Sequence, residues 1–214
     1  MGVGVEAASA AHVQVKPIPH GSLGHYRSCV RFSLVANQAA AGTGPNRLWE
    51  LRNTSTNIII PTRMRVIWTQ TAAHTAAIRD SLQLFRVTSL TASATTNTVT
   101  PTASVKRTSG MAAAPGGAAI RHVTVAGNSA GMTGLTGTKD GGACGIVETW
   151  LLAAVPTAGP VPQVVTELLD DVNGTHPFAL AQNEGLELEN EVLLGAAAGS
   201  SIIVDFSWAE VTAY

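Results

Sequence analysis

Apolar and polar residues alternate with period two over much of the chain, and the helical period is nearly absent. Tyr26, Ser28, Val30, Phe32 and Leu34 fall on one face of an extended segment, with Arg27, Cys29, Arg31 and Ser33 on the other. Trp49 and Leu51 alternate with Glu50 and Arg52. Next comes a face of Ile58, Ile60, Thr62, Met64, Val66 and Trp68, opposed by Arg63 and Arg65. Pro61 within that run marks an edge position, a bulge or a break between two strands, because proline cannot donate to a ladder. Further strands are expected at 82–88, 121–126 and 146–155. Towards the C-terminus Leu186, Leu188 and Val192 alternate with Glu187, Glu189 and Glu191. After the small-residue run 195–200, Ile202, Val204, Phe206 and Trp208 alternate with Asp205, Ser207 and Ala209. Two such strands across a short connection predict an antiparallel pair. One short helix is expected at 164–171, limited by Pro160 and Pro162.

Eight to ten short strands separated by turn residues predict an all-β fold, an antiparallel β-sandwich or jelly roll. We read residues 20–214 as a single domain preceded by an extended N-terminal arm, 1–19, whose bulkier residues are Val13, Val15 and Ile18. From about 88 to 119 the chain is Thr, Ser, Ala and Gly with hardly a large side chain, apart from an expected polar edge strand within 98–105. Long segments of this kind are usually functional or disordered.

Composition sharpens the surface. Of 214 residues, 45% are hydrophobic but only 5% aromatic, so Ala and Val dominate the apolar count. Charged residues are 13%, about half the roughly 25% of an ordinary soluble domain. With a formal net charge of −1, such a surface favours association, and a dimer or trimer is expected. The balance argues against a nucleic-acid binder, which would show a basic excess. No apolar run approaches the roughly 18 residues of a spanning helix, so no membrane role is expected. Met1–Glu6 shows neither a secretory signal nor a myristoylation pattern. Cys29 and Cys144 match no CxxC spacing and are read as two buried free thiols.

The sharpest catalytic pattern is Gly127-Asn128-Ser129-Ala130-Gly131, which fits the G-x-S-x-G elbow of serine hydrolases. Asp170 or Asp171 and then His176 follow in the required order. That chemistry needs a helix directly after the serine to aim backbone N–H groups at the oxyanion. The glycine-rich run Met132–Gly137 will not supply one, so no catalytic residue is assigned. His12, His20, His25, His74, His122 and His176 show no zinc spacing. The Glu187, Glu189, Glu191 row admits a calcium reading, but strand-spaced carboxylates more often form a solvated face or pair with arginines, here Arg63 and Arg65. Lys139 lies in a turn and not in a phosphate loop. No cofactor or metal is expected.

The stretch Pro177–Leu188, in which a Glu-Gly turn enters an alternating strand, resembles small structural proteins of tailed-phage virions. So does the ending Phe206-Ser207-Trp208-Ala209-Glu210 after a small-residue linker. Leu48–Asn53 followed by Ile58–Trp68 looks like the matching first hairpin of such jelly rolls. The resemblance covers about a third of the chain. It implies a capsid decoration (cement) protein without catalysis, assembled into the virion in the host cytoplasm, with the major capsid protein or other virion proteins as partners. A fibre, tail or baseplate component is the alternative within that class. From another class, a jelly-roll carbohydrate-binding module would use an exposed Trp or Tyr as a sugar platform. Trp49, Trp68, Trp150 and Trp208 fall mostly at core-facing phases.

Overall fold

The computed structural model describes residues 22–35, 46–73, 77–95, 98–99, 105–106, 117–123, 132, 134–154, 163–170, 179–190 and 199–212. The arm at 1–19, the elbow serine Ser129, Asp171 and His176 lie outside these residues. Those described form twelve strands and no helix. In chain order the strands are β1 (Ser22–Val35), β2 (Asn46–Asn53), β3 (Ile58–Ala72), β4 (Ile78–Ala92), β5 (Thr98–Val99) and β6 (Val105–Lys106). They continue with β7 (Ala118–Val123), β8 (Thr136–Lys139), β9 (Gly145–Leu151), β10 (Gln163–Asp170), β11 (Gly185–Asn190) and β12 (Gly199–Val211). One sheet runs β10-β3-β12-β1-β6. The other runs β5-β7-β2-β11-β4-β8, with β9 also paired to β4. All pairings are antiparallel, and the two sheets pack face to face as a β-sandwich.

Period two decides which side chains meet between the sheets. From the first sheet come Tyr26, Val30 and Phe32 of β1, Met64, Val66 and Trp68 of β3, and Ile202, Val204, Phe206 and Trp208 of β12, all buried. Trp49 and Leu51 of β2, Leu82 and Leu84 of β4, and Leu186 and Leu188 of β11 face them. Trp49 and Phe206, on opposite sheets, place their rings 5.2 Å apart, and Phe206 and Trp208 stack at 5.4 Å. β12 is central, flanked by β1 from Ser22↔Val211 to Val35↔Gly199 and by β3 along its other side.

Five expectations need correction. β11 and β12 do not pair: they belong to opposite sheets, and their apolar faces meet across the core. β2 and β3 are likewise no hairpin. The Thr54–Asn57 corner carries the chain from one sheet to the other, held by the buried Asn53, whose Nδ2 donates to the carbonyls of Asn57 (2.6 Å) and Leu180 (2.8 Å). The segment expected as a helix is β10, paired with β3 from Gln163↔Thr69 to Asp170↔Arg63. Eight residues nucleate a helix poorly, and Val164, Val165 and Thr166 are β-branched. The cysteines are free but neither is fully buried: Cys29 is exposed and Cys144 half-buried.

The face read through Ile58, Ile60 and Thr62 also slips, so that Ile59 joins Met64, Val66 and Trp68 in the main core while Ile60 packs with Ala209 and Val211 in a separate cluster. Other expectations hold. Pro61 sits at a bulge, because Ser207 pairs with Arg63 and Trp208 with Pro61, so Thr62 is skipped while β3 runs on. Within the small-residue segment, β4 extends to Ala92, and β5 and β6 add a two-residue edge to each sheet. The Glu-Gly turn has a steric reason. A Cβ on Gly185 would stand 2.0 Å from the Leu51 carbonyl oxygen, so only glycine lets β11 enter beside β2 there.

Candidate interaction surface

β9 is the edge where the outer surface is most apolar. Val147 and Leu151 point into the core, and this phase turns Ile146, Glu148 and Trp150 outwards. Ile146 is 56% exposed, Trp150 62% and the following Leu152 39%, the largest such cluster among the described residues. Arg79 of β4 lies opposite Trp150 and forms an exposed ion pair with Glu148. The end of the strand is fixed from the other sheet. Buried Gln70 of β3 accepts from the Leu152 N–H (2.8 Å) and donates through Nε2 to the Leu152 carbonyl (2.7 Å), in the manner of a peptide partner. At the other end β10 packs close, and a Cβ on Gly145 would meet the Leu168 carbonyl oxygen at 2.4 Å.

The outer face of the first sheet is charged and largely self-paired. Arg27 grips Asp205 through Nε (2.6 Å) and Nη2 (2.7 Å), and Arg63 grips Glu167 at 3.0 and 2.5 Å. Arg65 approaches the same Glu167 at 3.9 Å. Ser207 stands between Arg27 and Arg63 in the ladder and is buried, although it is on the outer side. Val165, 46% exposed, continues an apolar row from Ile203 and Ile67.

The acidic row of β11 is not a solvated face. Glu187 and Glu189 are buried, with Glu50 of β2 and Phe85 of β4 flanking Glu187. Their cations are Arg47, ion-paired to Glu187 and 3.8 Å from Glu189, and Lys139, 2.5 Å from Glu189 and 4.3 Å above the Phe85 ring. Arg63 and Arg65, expected as partners, serve the other sheet. Burial and a hydrogen bond shared with Glu189 push the Glu187 carboxyl up to about 8, against the pull of Arg47. Burial also raises Glu50, which accepts from the Ala94 N–H at 2.9 and 3.2 Å. Arg121 closes this strap by donating to the Ala94 carbonyl. The row ties β2, β4, β8 and the 93–95 segment together.

Other titratable groups are packed too. His122, stacked on Phe32 at 5.8 Å, is lowered by burial, and burial pushes the Cys144 thiol up to about 11. Among the described residues no group of His, Cys, Asp and Glu is placed to hold a metal ion, and no helix is long and apolar enough to cross a membrane.

Sequence reasoning assigned the tryptophans mostly to the core. Trp49, Trp68 and Trp208 are there, and Trp150 is not. Its shared phase with Glu148 was the available signal. Gln70 was missed, although extending the Met64, Val66, Trp68 face by two residues places it inward. Neither a scan of protein-family models nor a search of curated proteins finds a match to this chain.

Proposed function

We propose that the protein is a non-enzymatic structural component of a tailed-phage virion, of jelly-roll type, that binds and stabilises the capsid shell as a decoration protein. The observation that carries the reading is the β9 edge. It presents Ile146, Trp150 and Leu152 to solvent on a body whose other outer charges, among the described residues, are mostly engaged with one another. A cluster of exposed large apolar side chains on one strand, interrupted only by the Glu148–Arg79 pair, marks a contact surface. The low charge content and the Glu-Gly turn at Glu184–Gly185 agree with the resemblance to virion proteins. In this role it acts by surface complementarity, and repeated attachment over a shell strengthens each contact through effective concentration. A fibre or baseplate position uses the same surfaces. Mass spectrometry of gradient-purified particles tests the reading. The expected result is the chain present at a copy number commensurate with the shell, and earlier genome loss on heating when it is missing. Its absence from particles overturns the proposal.

A second reading has one specific observation in its favour. Trp150 is an exposed indole flanked by Glu148 and Arg79, the elements of a sugar platform with polar hands. Glycan binding lost in Trp150→Ala identifies that function.

A further inference from the structure

We propose that β9 is a self-association strand, through which two copies of this chain pair edge to edge, antiparallel, about a two-fold axis at Thr149. The inference rests on reading β9 as a contact edge and is independent of which particle, if any, the protein joins.

Sheet edges invite pairing, and proteins blunt them with short strands, bulges, lysines and prolines. The other outermost described strands here are blunted, and β1, which β6 covers only at Tyr26 and Arg27, turns the exposed Arg27, Cys29 and Arg31 to its outer face. β5 and β6 are two residues long. β8 is four residues long and carries Lys139, and β10 is bulged between Glu167 and Leu169. β9 is seven residues long, contains neither lysine nor proline, and pairs with β4 from Ile78↔Leu151 to Leu84↔Gly145 without a register shift. Among the described residues no strand pairs with its far side. Gln70 holds its C-terminal end in place, so the edge is presented already ordered.

The sequence of β9 then selects the occupant, because it complements itself. With the axis at Thr149, antiparallel pairing sets Ile146 against Leu152 of the second copy and Glu148 against Trp150, on the outer face. Val147 meets Leu151 on the inner face. Every outward residue finds a partner and no like charges oppose, while Glu148 keeps its ion pair with Arg79. An axis at Glu148 would set two carboxylates face to face. An axis at Val147 would leave Trp150 against Cys144, and one at Trp150 would set Ile146 against Ala154, beyond the end of the strand. Of these registers, that at Thr149 alone sets Ile146, Trp150 and Leu152 of both copies on one outer strip, each Trp150 beside the other copy's Glu148–Arg79 pair, and isologous symmetry requires such a strip to be self-complementary.

The test uses the full chain. Sedimentation at micromolar concentration is expected to give twice the chain mass. Trp150→Glu should give the chain mass and still melt cooperatively, since the side chain is exposed, but at a temperature that no longer rises with protein concentration as that of the wild type does. In a Cys29→Ser, Cys144→Ser background, Thr149→Cys should oxidise to a covalent dimer, because the two residues face each other at disulfide distance. Glu148→Cys should not, because its copies lie a diagonal apart, beyond the roughly 7 Å that a disulfide spans. A wild-type monomer, a dimer indifferent to Trp150→Glu, or cross-linking at 148 in place of 149 overturns the inference. So does a monomer whose β9 edge binds a glycan or a shell protein. Dimer formation by a protein absent from virions would leave this inference standing and remove the virion reading.

Discussion

Glu187 stands in a strand where every second residue is acidic, and only the folded arrangement makes it unusual. Glu50, Glu189, Arg47, Lys139, Phe85 and Gln83 surround it on the outer side of β2, β11, β4 and β8. Burial there favours the neutral acid, so the folded protein holds a proton that the unfolded chain releases above about 4.5. Its contribution to stability is therefore full below about pH 4.5 and is lost as pH rises towards about 8. Glu50 is shifted the same way, whereas buried His122 acts oppositely below its ordinary range. Comparison with Glu187→Gln isolates the one group. The urea midpoint of the wild type should fall more between pH 5 and pH 8 than that of the variant, which should be the more stable at pH 8. Parallel pH profiles would show that Glu187 is charged throughout. None of this was legible in the sequence. Alternation revealed that Glu187 and Glu189 share a face, but Arg47 and Lys139, which close that face, come from distant positions. Trp150 was legible, since a carboxylate two residues earlier in the same phase points away from a core.

At the level of elements, alternation located the strands well and their partners poorly. Period two states which side chains are buried but not which sheet a strand joins. β11 and β12 illustrate the gap: each has one apolar face, and those faces satisfy one another across the core as well as side by side would have suggested. β10 was misjudged for a related reason, as the sequence around Val164–Leu169 carries enough apolar residues for either period and the free edge of β3 decides. The link between Gln70 and Leu152 is another element-scale feature, since it couples the residue after β9 to the opposite sheet. Gln70→Ala removes the hydrogen bonds to both backbone groups of Leu152, and one to the Ala72 carbonyl, and should destabilise the fold by about 1–3 kcal/mol. Hydrogen exchange provides the check: the Leu152 amide should lose protection well before those of β3. Retained protection would show that the strand end is held by other contacts.

For the whole molecule, low charge was informative because, among the described residues, few ionic groups are left to discourage contact once Arg27, Arg63, Arg86 and Lys139 are paired. The sandwich itself was legible from strand number and patterning, and the corner at Asn53 was not, because one side chain and two remote carbonyls make it. The pairing of β1 with β12 has a consequence for connectivity. Ser22 and Val211 are neighbours, yet Arg27 and Asp205, linked by their ion pair, are 178 positions apart along the chain. Joining Tyr214 to Met1 and opening the chain between Gly141 and Gly142, where an added Cβ meets nothing within 4 Å, yields a circular permutant with every strand intact. The central pairing would then close a loop of a few tens of residues, lowering its closure cost by roughly 1–1.5 kcal/mol. Stopped-flow refolding of the permutant should be faster by up to about tenfold, with unfolding little changed, if β1 and β12 meet early in folding. Equal refolding rates would place that pairing late, after the rest of the sandwich has formed.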